Sequence, residues 1–557
     1  MEESFENDSL EHFVIKDKKF RKERISQRIR VFMIILFVLI IFTILAIIVW
    51  KVITNNYGKI ICIYQTFEEN ETIELINIYE DNENMKFYLI INDEKFDQSI
   101  NFTFKKPGNH TVSFVFKKKL TSLEFLFKEK ESLIEVDLSQ LEYNEITSLK
   151  GTFIDCINLK KVKFDFIESN KIKDISNLFR GCNSLESFIL NFSTEEVTDM
   201  RGLFENCISL RNIDIKNFNT KNLKYMDFMF NGCENLEYID LSNFNLENIE
   251  DMTYTFQNCN NLKEIKLPKS YTYNLEYMSG LFKNCYNIKE LFLDYIITDK
   301  VIEMKHTFMG CYKIEQFNIS HFKTRNVFDI SGLFIDCKSL ISIDLSNFEL
   351  LIADSLDSFF KGCSKLKEID LSFIYDPYLV DLTETFMNCI NLISVKLPQK
   401  LYGIEHMTST FENCKNLEYV DLSQFEGNED LLDMDQMFKN CHKLKNITFP
   451  KIEAEHLKNA NSIFYNCYEL EKIDMGDFLT DIIKNMNYMF YYCKSLEYLN
   501  ISKLKTKYLD NFDNIFTEVN KSITLIIPDD INENLKEEII MNLNISNDSN
   551  IHFDKIN

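Results

Sequence analysis

Residues 230–244 read Phe-Asn-Gly-Cys-Glu-Asn-Leu-Glu-Tyr-Ile-Asp-Leu-Ser-Asn-Phe, and the chain repeats this unit along most of its length. Apart from Cys62, the cysteines stand at 156, 182, 207, 233, 259, 285, 311, 337, 363, 389, 414, 441, 467 and 493, a step of 26 residues with small slips. Each has Phe three positions earlier, from Phe153 to Phe490. Each has Leu three positions later, or Ile at Ile288 and Ile314. An apolar–any–apolar triplet follows, as in Ile239-Asp240-Leu241 and Ile369-Asp370-Leu371.

The triplet has the two-residue alternation of a half-buried strand. The stretch before each cysteine, such as Met226 to Cys233, has apolar residues spaced by three and four, which predicts a short helix or 3₁₀ turn on the return side. One unit cannot cover its own apolar face, whereas stacked copies bury a continuous core. The expected fold is therefore an α/β repeat solenoid of about fourteen units. Its parallel sheet would be long, roughly 65–70 Å at ~4.8 Å per strand.

The register decays at both ends. Phe516 keeps it, but Val519 and Ser522 fill the cysteine and leucine slots, and Leu525-Ile526-Ile527-Pro528 reads as the closing strand. A helix is expected over 532–543 within a terminal cap, 529–557. Upstream, Leu133 to Leu138 reads as an imperfect first strand of a repeat region spanning 129–528. Residues 58–128 lack the repeat and show strand-like runs at 60–64, 72–78, 86–91, 100–104 and 111–117, with a turn at Pro107-Gly108-Asn109. They predict a small β-rich module, sandwich-like or a cap.

From Val31 to Trp50 no residue is charged, and twenty residues at 1.5 Å each span a hydrocarbon core of ~30 Å. Eight basic residues precede the run; only Lys51 and Lys59 closely follow it. That bias predicts a cytoplasmic tail at 1–30, a signal anchor at 31–53, and the rest of the chain outside the cytosol, a single-pass type II arrangement. A cleaved signal peptide fits less well, because the run is long and no small-x-small site follows. Net charge is −24, the residues beyond 30 carrying about −25 against +1 before them, which argues against nucleic acid as a partner.

The pattern Phe-x-x-Cys-x-x-Leu-x-x-Ile-x-Leu, closed by Ser-Asn-Phe as at 242–244 and 346–348 or by Pro as at Pro268, Pro398 and Pro450, resembles the BspA-like leucine-rich-repeat surface proteins over roughly 125–528. The resemblance implies a plasma-membrane surface protein used in adhesion or recognition of a protein or glycan. A scaffold facing an organelle lumen is the alternative.

No enzyme is expected. The sequence has no Cys-x-x-Cys, Gly-x-Ser-x-Gly or His-Glu-x-x-His, and its eight histidines have no ligand spacing, so neither a metal nor a cofactor is predicted. The cysteines outside Cys62 are expected to be small buried unpaired residues, since each fills one column of the repeat beside Phe and Leu. The candidate contact surface is the outward side of the strands. It comprises the aspartate column Asp214, Asp240, Asp344, Asp370, Asp421 and Asp474, broken by Lys163, Lys266 and Lys396, together with Tyr238, Phe292, Tyr419 and Tyr498. Among the Asn-x-Ser/Thr sequons, Asn70 and Asn109 lie near expected turns and are the preferred glycosylation candidates. Asn318, Asn446 and Asn500 are expected on strands, where a glycan would obstruct the sheet.

Overall fold

The computed structural model describes residues 27, 29–46, 57–78, 85–142, 145–165, 171–372, 374, 378–398, 401–425, 429–543 and 551–554. Ile29–Ala46 form one helix, long and apolar enough to cross a membrane and nowhere buried inside the protein. A signal sequence passes the same test. The 1–26 part of the expected tail, and 47–53 of the expected anchor with Trp50, lie outside the described residues.

Beyond it the chain is a parallel β-solenoid of about fourteen turns. Its axis is marked by an unbroken stack of phenylalanine rings from Phe127 to Phe516. Successive rings are 5.3–6.2 Å apart and tilted by 2–22°. Phe127 extends the register one unit earlier than the cysteines reveal, because its cysteine slot holds Lys130. That side chain is almost fully buried, with Nζ 2.9 Å from Glu74 Oε2 and 2.6 Å from Asn77 Oδ1. Asn77 in turn donates to the carbonyls of Phe125 and Lys128. A buried ammonium needs such partners, and they tie the pre-repeat segment to the first coil.

That segment contains the strands Gly58–Thr66, Glu71–Glu74, Phe87–Ile91, Glu94–Phe96, Asn101–Phe104 and Gly108–Phe116. Gly58–Thr66 pairs antiparallel with Gly108–Phe116 on one side and with Leu133–Leu141 on the other. Leu133–Leu141 then pairs in parallel with the solenoid strands Lys161–Asp165 and, beyond them, Ser187–Asn191. One sheet of seven strands thus runs from the pre-repeat segment into the repeats. Cys62 sits at its centre, buried opposite Val112 and Val136.

Two expectations need correction. The return stretch is not helical: overlapping tight turns carry it. In one repeat Met229 N–H bonds the Met226 carbonyl, Asn231 the Phe228 carbonyl and Cys233 the Phe230 carbonyl. Phe228, Phe230 and Gly232 also donate to Thr253, Thr255 and Gln257 of the next coil. Spacing of three and four fits such turns as well as a helix. What decides is that two residues per coil take positive φ, which no helix permits, as at Phe228 (58°) and Gly232 (73°). Nor is the strand-side sheet one long ladder. Strands pair over 133–191, at Tyr238–Asp240 with Glu264–Lys266, at Glu368–Asp370 with Ser394–Lys396, and in a six-stranded sheet starting at Tyr419–Asp421. Asn318 therefore lies on no strand, while Asn446–Thr448 and Tyr498–Asn500 are strands as expected.

The closing strand Thr524–Pro528 forms, but Ile551–Asp554 pairs beyond it, and the helix Glu533–Leu543 buries Leu535, Ile539 and Leu543.

Candidate binding surface

The inward columns are uniform. Every repeat thiol is fully buried, and none is disulfide-bonded. Each donates to the carbonyl of the ladder phenylalanine one coil earlier, as in Cys233 Sγ to Phe204 O at 3.1 Å and Cys467 Sγ to Phe438 O at 3.1 Å. Cysteine supplies what alanine cannot at that point, a small apolar body with one weak donor. Burial pushes the thiols up, to about 12 at Cys156, Cys233 and Cys389, so they are poor nucleophiles.

The residue before each cysteine has positive φ, and there the column reads Asp155, Gly181, Asn206, Gly232, Asn258, Asn284, Gly310, Asp336, Gly362, Asn388, Asn413, Asn440 and Asn466 before Tyr492 breaks it. Glycine, asparagine and aspartate are the residues that tolerate this left-handed conformation. The asparagines also bond one another, as Asn440 Nδ2 to Asn413 Oδ1 at 2.8 Å and Asn466 Nδ2 to Asn440 Oδ1 at 2.9 Å. The sequence carried this signal openly, and the periodicity of Phe, Cys and Leu drew attention away from it.

The predicted aspartate column has a local task. Each of Asp214, Asp240, Asp344, Asp370, Asp421 and Asp474 accepts the N–H two residues on, at 2.9–3.3 Å, capping the turn that follows the strand position. Lys396, 2.7 Å away, together with Ser372 holds Asp370 down to about 2. Asp240 is lowered by Ser242, and Asp344 by the Ser346 N–H. Among the described residues no cluster of three or more His, Cys, Asp or Glu could hold a metal ion.

The predicted aromatics fall into separate places. Tyr238 and Asp240 share one face of a strand, hydroxyl to Oδ2 3.1 Å, with Lys266 Nζ 5.4 Å from the ring. Exposed Tyr419 shares a hydrogen bond with Thr448 Oγ1 across two strands, and Lys472 Nζ lies 4.8 Å from the Tyr498 ring. Phe292 stands apart from these, 69% exposed. The structure thus gathers the predicted residues onto one outward face but not into one site. Asn70 is exposed in a tight turn (φ 59°), and Asn109 is exposed at the start of a strand.

A second acidic row, on the turn face, escaped the sequence reading. Asp174, Asp199 and Asp251 share one column with Tyr225 between the last two, and Asp227 stands two residues beyond Tyr225. Burial, then Asp251, raises Asp227 to about 7, and its Oδ1 is buried without a partner.

Uniform inner columns beneath a varied outer face define a protein-interaction repeat protein. Residues 147–270 and 259–372 match the family described as "Mycoplasma protein of unknown function, DUF285", and residues 382–511 and 434–546 match "BspA type Leucine rich repeat region (6 copies)". Residues 382–546 thus carry repeats of the BspA type, and the chain resembles the BspA-like leucine-rich-repeat family. No curated protein matches it. Similar solved structures include "Crystal structure of TLR13-ssRNA13 complex", at 15% identity over 78% of this chain and 54% of that one, TM-score 0.20. Another is "The Crystal structure of Pneumococcal vaccine antigen PcpA", at 13% identity over 74% of this chain and 85% of that one, TM-score 0.20. The chain thus spans about half the length of the first. Both superpositions are too loose to transfer any property.

Proposed function

We propose that this chain is a non-catalytic recognition or adhesion protein of the cell surface. The helix Ile29–Ala46 anchors it with the N-terminus inside, and the solenoid presents its concave face to a protein or glycan. The observation that carries this reading is the contrast between columns. The inward positions repeat Phe, Cys and Leu almost without change, while the outward positions on the same strands vary from Asp and Lys to Tyr, Phe and Ile. Repetition is what a core requires; variation on a rigid face is what recognition of one partner requires.

An antibody raised against residues 150–520 tests the placement. Labelling of intact cells is expected. Labelling only after permeabilisation would overturn it in favour of a scaffold inside an organelle.

A further inference from the structure

Resting on the concave-face reading, we propose that a groove beside Phe292 binds an uncharged oligosaccharide. Three observations meet there. First, the strand-side ladder is open there: among the described residues no main-chain hydrogen bond joins Leu291–Leu293 to Phe317–Ile319, or these to Ile343–Leu345, although just before the last of these Ile341 N–H reaches the Glu315 carbonyl at 3.0 Å. The backbone donors and acceptors at these strand positions are therefore not matched to those of the neighbouring coil. Second, the surface sinks into an open groove of about 1030 Å³ between the coils that carry Phe292 and Asn318. Third, Phe292 puts a bare ring at its edge, in a column that elsewhere holds mostly Asp, Lys and Asn.

The surroundings choose the ligand. In a chain of charge −24, this groove is lined by Lys289 and Lys313 against Glu290 and Glu315, so its charged side chains cancel. A strongly basic or acidic partner gains nothing there. Gln316 and Asn318 add planar amides that can each donate and accept. An aromatic face beside planar polar groups matches a sugar ring, which has one apolar C–H face and hydroxyls around its rim. A peptide strand fits worse. The unmatched backbone groups point along the solenoid axis, where neighbouring coils already stand, so no edge is open for strand addition. Hydroxyls are small enough to reach them singly.

The test is binding of the full chain, in detergent, to an array of short neutral oligosaccharides: β-linked glucose, N-acetylglucosamine, galactose and mannose oligomers. Binding by the native chain is expected. Phe292→Ala should weaken it about tenfold or more, and Phe292→Trp should keep it, with unchanged thermal unfolding in both. Equal binding by Phe292→Ala would overturn the site. So would a peptide map showing a glycan on Asn318, which would fill the groove from within the chain. Failure of every neutral sugar to bind would overturn the ligand class. It would leave the surface reading standing or falling on the antibody result, because that result does not depend on what the groove holds.

Discussion

The two stretches matched by different family descriptions share one core and differ in their sheets. From Tyr419 onward the strands pair continuously to the C-terminal cap, whereas between Lys266 and Glu368 no strand pair forms. The phenylalanine ladder runs through both. Ring stacking and the turn-face hydrogen bonds, such as Phe308 N–H to the Leu333 carbonyl at 3.1 Å, rather than the strand-side ladder, therefore link successive coils throughout. The difference has a source in the sequence. At the inward strand position many paired coils carry β-branched residues, among them Ile369, Val395, Val420, Ile447 and Ile473, which suit a pleated backbone, although Phe188, Leu499 and Leu525 also pair. The open stretch has Leu291 and Phe317, followed by Ile343. The Phe317 ring lies 4.6 Å from Phe308 and 5.4 Å from Phe334, a wedge in the stack, and the widest ladder step, 6.2 Å, is the adjacent Phe282–Phe308. Phe188 wedges between Phe179 and Phe204 in the same way, next to an earlier interruption; a third, between Lys396 and Tyr419, has no such wedge among the ring contacts of the described residues.

The largest expected effect comes from breaking the shared element. Phe308→Ala and Phe464→Ala should each cost about 3–5 kcal/mol in urea unfolding, since both remove a fully buried ring. If the ladder dominates, the two losses are similar; a much smaller loss in the continuous part would show that backbone pairing carries the stack there. Next is Gly232→Ala on the turn face. Its Cβ would meet Asn206 Oδ1 at 2.2 Å and its φ is +73°, so a loss of about 1–2 kcal/mol is expected, read as a lowered melting temperature.

Asp227→Asn is smaller and depends on pH. The folded carboxyl is raised from 3.8 to about 7, so the native state holds its proton more tightly than the unfolded chain. That stabilisation is complete below pH ~4 and is lost as pH rises through 7. The variant should therefore gain about 1 kcal/mol at pH 8, allowing for partial exposure, and nothing at pH 4. An equal gain at both would refute the burial argument. The smallest change in stability is expected from Phe317→Ile, yet it bears most directly on the wedge. Amides of 291–293 and 317–319 should exchange more slowly than in the native chain. Unchanged exchange would mean that the ring is not what opens the ladder.

The sequence made the coil legible because Phe, Cys and Leu each fill an interior column that tolerates little else. The pre-repeat strands were readable for the same reason, alternation against a core, although the short edge strand Glu94–Phe96 was too brief to register. The return segment was misread because turns that stack sideways share a helix's apolar spacing; the Asn/Gly/Asp column was the discriminating mark. On the outer face the letters misled. Asp240 and its equivalents looked like a ligand row, but a carboxylate two residues before a free N–H satisfies a turn first. Interruptions in strand pairing fall between coils that carry the same Phe, Cys and Leu columns, so the repeat pattern does not mark them.

The thiol in every coil has a practical consequence. Fully buried and with raised pKa, none can be alkylated while its coil is closed. Each coil that opens exposes one reactive sulfur and adds one fixed mass increment. A mass spectrum of partly denatured, alkylated protein would thus show discrete peaks counting how many coils have come apart, and the labelled peptides would name them. The chain carries its own unfolding odometer, graduated in single turns.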